Sequence, residues 1–241
     1  MLTHCYNSRQ AFAKGGQGRD MKTVIFDLDG TLADTSGDLI AAANACFVAL
    51  GHGAMLDMAA DQATAFAGGR AMLRLGFERL GVSDLEARID EQFQTFIGYY
   101  GARIDRHTRV YDGAVQAVQR LLDADYRVGI CTNKPEGLAE ELMQRLGMRD
   151  MFGALIGADT LPVRKPDPAP YVETVHRAGG NVARSVLIGD TVTDRETARA
   201  AGVPSVLVTF GPTGRDVAGL QPEALLDHYD DLFGVVEDLL A

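Results

Sequence analysis

The chain has 241 residues, 46% of them hydrophobic, and a formal net charge of −10. That apolar content can bury a sizeable core, in one large domain or two smaller ones, while the acidic surface repels nucleic acid phosphates and no basic run opposes it. No apolar run approaches the roughly 20 residues that span a bilayer, so a soluble cytoplasmic protein with neither membrane nor nucleic acid as partner is expected.

Residues 1–20 contain Gly15-Gly16-Gln17-Gly18, little apolar content and no period, and read as a disordered tail. Met21, directly before the first strand, is the expected natural start. Cys5, Cys46 and Cys131 are widely spaced and odd in number, which argues against a disulfide framework and a thiolate metal site. Val24-Ile25-Phe26 is a short continuous apolar run, the pattern of a buried parallel strand, and it ends in Asp27-Leu28-Asp29-Gly30-Thr31-Leu32. Two acids at the carboxyl end of such a strand stand where open α/β sheets bind ligands. On extended backbone, residues two apart point the same way, so both carboxylates can address one centre before Gly30 lets the chain turn. A nucleophile beside an acid/base is one reading; a turn cap is the other.

Between residues 35 and 109 strand-like runs give way to helical periods. Leu39/Ile40, Ala43, Cys46/Phe47 and Leu50 form one stripe closed by Gly51; Leu73, Phe77 and Leu80 form a second closed by Gly81. A third helix is expected to open with a reciprocal Ser83/Glu86 capping arrangement and to carry Leu85, Ile89, Phe93, Phe96/Ile97 and Tyr100. This segment is expected to be an all-helical cap inserted between residues 21–34 and 110–241. In the latter, Val128–Cys131, Ala154–Ile156, Val186–Ile188 and Val206–Val208 alternate with helical patterns, the last of them near Asp230–Leu240. Alternation implies a parallel sheet: a Rossmann-like three-layer α/β/α core with five strands.

Three further strand or loop ends carry polar groups. Thr132-Asn133 follows the second strand and can donate to phosphate oxygens or cap the next helix, whose first turn suits Pro135. Lys165 sits in the proline-stiffened stretch Arg164-Lys165-Pro166-Asp167-Pro168; it can hold a phosphoryl group as a point charge, or be a solvated lysine in a turn. Asp190 ends the run Val186-Leu187-Ile188-Gly189, and Asp194 falls at the start of a helix opened by Thr193 with Glu196 three residues on. A helix-dipole account covers Asp194 but not Asp190. Together Asp27, Asp29, Asp190 and Asp194 need a cation to relieve repulsion, and all-oxygen ligands beside phosphate chemistry favour Mg²⁺.

In this order, Asp27-Leu28-Asp29-Gly30-Thr31-Leu32, Thr132-Asn133, Lys165-Pro166 and Gly189-Asp190-Thr191-x-x-Asp194 resemble the four motifs of the haloacid dehalogenase-like superfamily, over essentially residues 22–240. The helical insertion looks like that superfamily's small C1-type cap, with phosphoglycolate phosphatase-type members the nearest likeness. The resemblance implies that Asp27 attacks phosphorus to form an aspartyl-phosphate, and that Asp29 protonates the leaving oxygen and then activates water. It implies Mg²⁺ held by Asp27, the backbone carbonyl of Asp29 and Asp190, with Asp194 in support, and phosphoryl oxygens held by Thr132, Asn133 and Lys165. The expected partner is a small phosphorylated metabolite; oligomeric state is not readable.

Thr191 stands where Ser is usual, and Val110-Tyr111-Asp112-Gly113 replaces a more usual Pro-Gly step; neither touches the acids. Dehalogenases of the superfamily lack the second Asp of the first motif, so Asp29 argues for phosphoryl transfer. Phosphonatases need a cap lysine, and residues 36–109 contain none. A phosphomutase of the beta-phosphoglucomutase type shares every core motif, and a non-catalytic phosphate-binding protein is the alternative from another class, though it has no need to keep a repulsive acidic cluster. Arg70, at a helix start after Gly68-Gly69, is either a solvated side chain or the reader of a substrate carboxylate.

Overall fold

Short apolar runs separated by helical periods become a parallel sheet covered on both faces. In the computed structural model, which describes residues 21–241, the chain runs β1 (Thr23–Phe26), β2 (Ala33–Asp34), α1 (Ser36–Ala49), α2 (Gln62–Ala65), α3 (Gly69–Arg79), α4 (Leu85–Ala102), β3 (Arg109–Val110), α5 (Ala114–Asp123) and β4 (Arg127–Cys131). It continues through α6 (Glu136–Arg145), β5 (Ala154–Ile156), α7 (Ala169–Arg177), β6 (Ser185–Gly189), α8 (Val192–Ala201), β7 (Ser205–Val208), β8 (Ala224–Leu226) and α9 (Leu232–Leu239). The tail expected over residues 1–20, with Cys5, lies outside the described residues.

The sheet order is β5-β4-β1-β6-β7-β8, all parallel. It has six strands where five were expected. The sixth, β8, is a three-residue edge strand, only partly buried at Ala224 and Leu225, and too short to stand out as an apolar run. In the central strands alternate residues feed opposite faces. Val24, Phe26, Val128, Ile130, Val186 and Ile188 join one core, while Ile25, Cys131 and Leu187 join another with Tyr171 and Val175 of α7 and Ala198 of α8. Burial on both faces is why these strands read as continuous hydrophobic stretches.

The four helices between β2 and β3 pack on one another, α1 against α2, α3 and α4 and α3 against α4. Phe47 and Phe77 meet edge-on with centroids 5.0 Å apart. Where the chain leaves and re-enters the sheet domain, β2 and β3 pair antiparallel as a two-residue ribbon. The buried Asp38 staples this crossing by accepting from the backbone N–H of His107 and Thr108 and from Thr108 Oγ1. Neither ribbon nor α2 was expected, since two and four residues carry no readable period.

Two capping expectations are corrected. α4 begins after Asp84, and no side-chain cap hydrogen bond forms there, so the Ser83/Glu86 arrangement is absent. α8 is capped from Thr191, two residues before Thr193, and Asp194 accepts from Thr191 N (3.1 Å) and Oγ1 (2.7 Å). Pro135 is the N-cap residue of α6, one position before the first turn expected for it.

Candidate active site

Strand register brings the motifs together. β1 lies between β4 and β6, with Phe26 opposite both Ile130 and Ile188, so the residues just beyond these strands, Asp27, Thr132 and Asp190, share one carboxyl edge. The connections from β1 run first to one side and later, through β6, to the other, which opens a crevice at this edge. Asp27 N donates to Ile188 O at 2.8 Å, and its Oδ1 accepts from Leu28 N at 2.7 Å. At Gly30 φ is +81°, and a Cβ there would strike the Asp190 carboxylate, so only glycine makes this turn.

Lys165 is not a solvated lysine: it is 3% exposed, with Nζ 3.1 Å from Asp27 Oδ1 and 2.6 Å from Asp194 Oδ1. Asn133 Nδ2 donates to the Lys165 carbonyl at 3.1 Å and tethers that loop to the end of β4. The first N–H of α6, on Glu136, is capped by Asp159 Oδ1 at 2.7 Å, so Thr132 and Asn133 are not spent as helix caps. Thr132, Asn133 and Lys165 all border one cavity with Asp27, Asp29 and Asp190, about 700 Å³ in volume.

Asp27, Asp190 and Asp194 each offer an oxygen, and these lie within 4.8 Å of one another. Asp190 Oδ1 accepts from Thr31 Oγ1 at 3.0 Å, whereas its buried Oδ2 has no hydrogen-bond partner among the described residues. An orphaned buried oxygen in a three-carboxylate, all-oxygen cluster fits a hard divalent cation. Burial is the main cause that pushes Asp27 up to about 7, offset by Lys165 and reinforced by Asp194 and Asp29; Asp190 is raised well above the usual carboxylate range by burial, then by Asp194 and Asp27. The ordinary aspartate value, taken for the unfolded chain, is 3.8. Between these values the folded state binds more protons than the unfolded state, so metal-free stability falls as pH rises through the window. We expect the Tm of the metal-free protein to be lower at about pH 8 than at about pH 5, and an added divalent cation to raise it more at the higher pH, because cation and protons compete. Thermal melts with and without chelator check both; a metal-free Tm that rises with pH contradicts the acid-cluster geometry.

The Asp29 side chain is not one of the three clustered acids and has partners of its own. Its Oδ1 accepts from Thr35 Oγ1 at 2.5 Å and lies 2.9 Å from Lys134 Nζ. Lys134 also donates to the Tyr100 hydroxyl of α4 at 2.8 Å and is buried. Neither Lys134 nor the Tyr100 hydroxyl was singled out from the sequence: the lysine's one signal was its place after Asn133, and Tyr100 read only as one residue of an apolar stripe. Arg70 borders the cavity from the first turn of α3, but its Nη1 is 2.7 Å from Asp90 Oδ1 and its guanidinium rests 4.7 Å over Phe93.

The sequence model of the family described as Haloacid dehalogenase-like hydrolase matches residues 24–208. The chain belongs to this family. The match spans β1 through β7 and so takes in every acid of the site together with Lys165. Among curated relatives of this hydrolase, the phosphoglycolate phosphatase of Mesorhizobium japonicum is 38% identical over 209 residues, 87% of this chain and 92% of that protein. The phosphoglycolate phosphatase of Agrobacterium fabrum is 37% identical over 86% of this chain and 88% of its own length. The crystal structure of a protein described as a predicted phosphoglycolate phosphatase from Haemophilus somnus superposes with a TM-score of 0.79, covering 90% of this chain and 98% of that one at 22% identity, which attests the shared fold. As a member, the chain is an enzyme of the haloacid dehalogenase-like hydrolase type, with an acidic cluster able to hold a metal. Among the described residues no helix is long and apolar enough to cross a membrane.

Proposed function

We propose that this hydrolase is a Mg²⁺-dependent cytoplasmic phosphatase of a small phosphate monoester, phosphoglycolate-like, working through an aspartyl-phosphate on Asp27. The observation that carries the reading is the pair of acids at the end of β1 with different surroundings: Asp27 touches Lys165 beside the metal-fitting acids, whereas Asp29 pairs with Lys134, which in turn bonds Tyr100 of α4. Two carboxylates with divergent environments can divide the work of nucleophile and acid/base. Asp27 attacks phosphorus, and its second residue on, Asp29, gives a proton to the departing oxygen and then takes one from the water that cleaves the acyl phosphate. Lys165, Thr132 and Asn133 hold phosphoryl oxygens on which charge spreads during transfer.

Asp27, the Asp29 backbone carbonyl and Asp190 would hold Mg²⁺, with Asp194 orienting Lys165 and Thr191 from behind. When bound, the ion supplies charge neutralisation for an anionic nucleophile approaching an anionic phosphate. Residues 35–109 act as the cap: Phe66, Gly68, Phe93 and Phe96 border the cavity and set what can occupy it beyond the phosphate. The curated relatives' substrate, named in both cases as phosphoglycolate, supports a small carboxylated ester.

The test is a phosphate-release screen over phosphorylated metabolites with Mg²⁺, ranked by kcat/KM. Phosphoglycolate is expected at or near the top, with turnover lost on chelation and restored by Mg²⁺. Steady hydrolysis without a bisphosphate activator counts against a phosphomutase. A parent protein that binds phosphate esters but releases no phosphate revives the binding reading, and even rates across the panel remove the named substrate.

A further inference from the structure

The phosphatase reading leaves one buried cation without a task. Lys134 is 7% exposed, and its ammonium contacts only Asp29 Oδ1 (2.9 Å) and the Tyr100 hydroxyl (2.8 Å) among the described residues. An ammonium has three donors, so one remains for a ligand. Tyr100 accepts the lysine's hydrogen bond, which leaves its own phenolic hydrogen without an acceptor among the described residues. Burial pushes that phenol up to about 12, so the donor is retained at neutral pH. Both side chains border the cavity that holds Asp27 and Asp29. Burying a charge is costly, and among the described residues only Asp29 and Tyr100 repay it.

The other cations at the cavity are placed differently. Lys165 is occupied by Asp27 and Asp194. Arg70 is half exposed, with its charge met by Asp90 and Phe93 inside the cap helices. Arg164 is exposed on the loop before Lys165. Lys134 alone among the four is both enclosed and in contact with the acid assigned to the departing oxygen.

We propose that Lys134 and Tyr100 form the subsite for a second anionic group of the substrate, a carboxylate one methylene beyond the ester oxygen. The inference rests on the phosphatase reading above and names what confers its substrate class. In that reading Asp29 meets the ester oxygen; a cation touching Asp29 therefore stands beside the atoms bonded to that oxygen, and one methylene brings carboxylate oxygens to Nζ and to the phenolic hydrogen. Lys134 comes from the sheet domain and Tyr100 from α4, so the subsite is complete only with the cap helices packed as they are.

The experiment compares kcat/KM for 2-phosphoglycolate and for ethyl phosphate, which has the same chain length without the carboxylate. In the Lys134→Met variant the ratio of the two is expected to fall by about tenfold or more, chiefly through KM for phosphoglycolate, since a charge-assisted hydrogen bond is lost. Tyr100→Phe, which keeps the ring packing, is expected to lower the ratio several-fold, and Lys134→Arg to restore part of it. A residue that only supports Asp29 or the fold lowers both esters together and leaves the ratio alone. If Lys134→Met fails to fold, Tyr100→Phe and Lys134→Arg still decide. An unchanged ratio in Tyr100→Phe and Lys134→Met, or a fall seen in Arg70→Ala in their place, overturns the inference while hydrolysis of both esters leaves the phosphatase reading standing. A parent protein that hydrolyses neither ester overturns that reading, and the inference with it.

Discussion

Phosphate release is expected to drop about ten-thousandfold or more in Asp27→Asn, a loss of the size seen when a nucleophile is removed from a site that still binds its substrate. The amide keeps the shape of the carboxyl group, and its oxygen can still accept from Leu28 N and Lys165 Nζ, the two contacts that Asp27 Oδ1 makes now. What it cannot do is attack phosphorus. It also removes one of three clustered carboxylates, two of which share the Lys165 ammonium, and burial and repulsion are what lift Asp27 to about 7. The metal-free variant is therefore expected to melt no lower than the parent near neutral pH, and to lose affinity for the divalent cation. Single-turnover kinetics, thermal melts and cation titration check the three parts. Residual turnover within tenfold of the parent would reassign the nucleophile.

Lys165→Met is expected to do the opposite to stability. Among the described residues the ammonium is the one positive group in contact with both Asp27 and Asp194, and all three side chains are largely buried. Burial alone would lower the lysine; the neighbouring Asp194 and Asp27 outweigh it and hold Lys165 above its ordinary value, firmly charged. Breaking a buried ion pair by removing one partner costs about 3–5 kcal/mol, because the abandoned charge stays in place. The variant should unfold at lower denaturant than the parent, and more so without metal, since a bound cation can take over part of the neutralisation. Turnover should fall as well, through the loss of a donor to the phosphoryl oxygens. Equal stability of Lys165→Met and the parent in metal-free buffer would show that the network is not the support described here. The contrast between the two substitutions is itself informative: one acid can leave a crowded cluster, but its cation cannot.

Much of the candidate site is legible in the sequence. Asp27 and Asp190 were visible because β1 and β6 are buried on both faces, so an acid ending a continuous apolar run stands out against it. Asp194 is read as a helix-start acid or as support for a metal; its carboxylate accepts from Thr191 at the start of α8, and its ion pair with Lys165 is a contact neither reading names. Short or edge elements were the failures of legibility. β8 is three residues long, α2 is four, and the β2–β3 ribbon is two on each side, all below the length at which periodicity exists. The capping residue of α8 was misplaced by two because Thr191 and Thr193 are chemically alike and both precede an acid three positions on.

The two lysines divide what the sequence by itself determined from what only the tertiary structure decided. Lys134 and Lys165 each precede a proline and each lie in a loop after a strand, and by local chemistry either could be solvated. The sequence determined the family, the parallel α/β core and the order of its acids, because those follow from local hydrophobic runs and from motifs contiguous in the chain. Which groups each lysine meets depends on partners far along the chain: Lys165 is 29 residues from Asp194, and Lys134 is 34 from Tyr100. Register across β4, β1 and β6 and the packing of α4 over the strand ends set those distances. A buried charge is recognisable only by what surrounds it, and that surrounding is made by the fold.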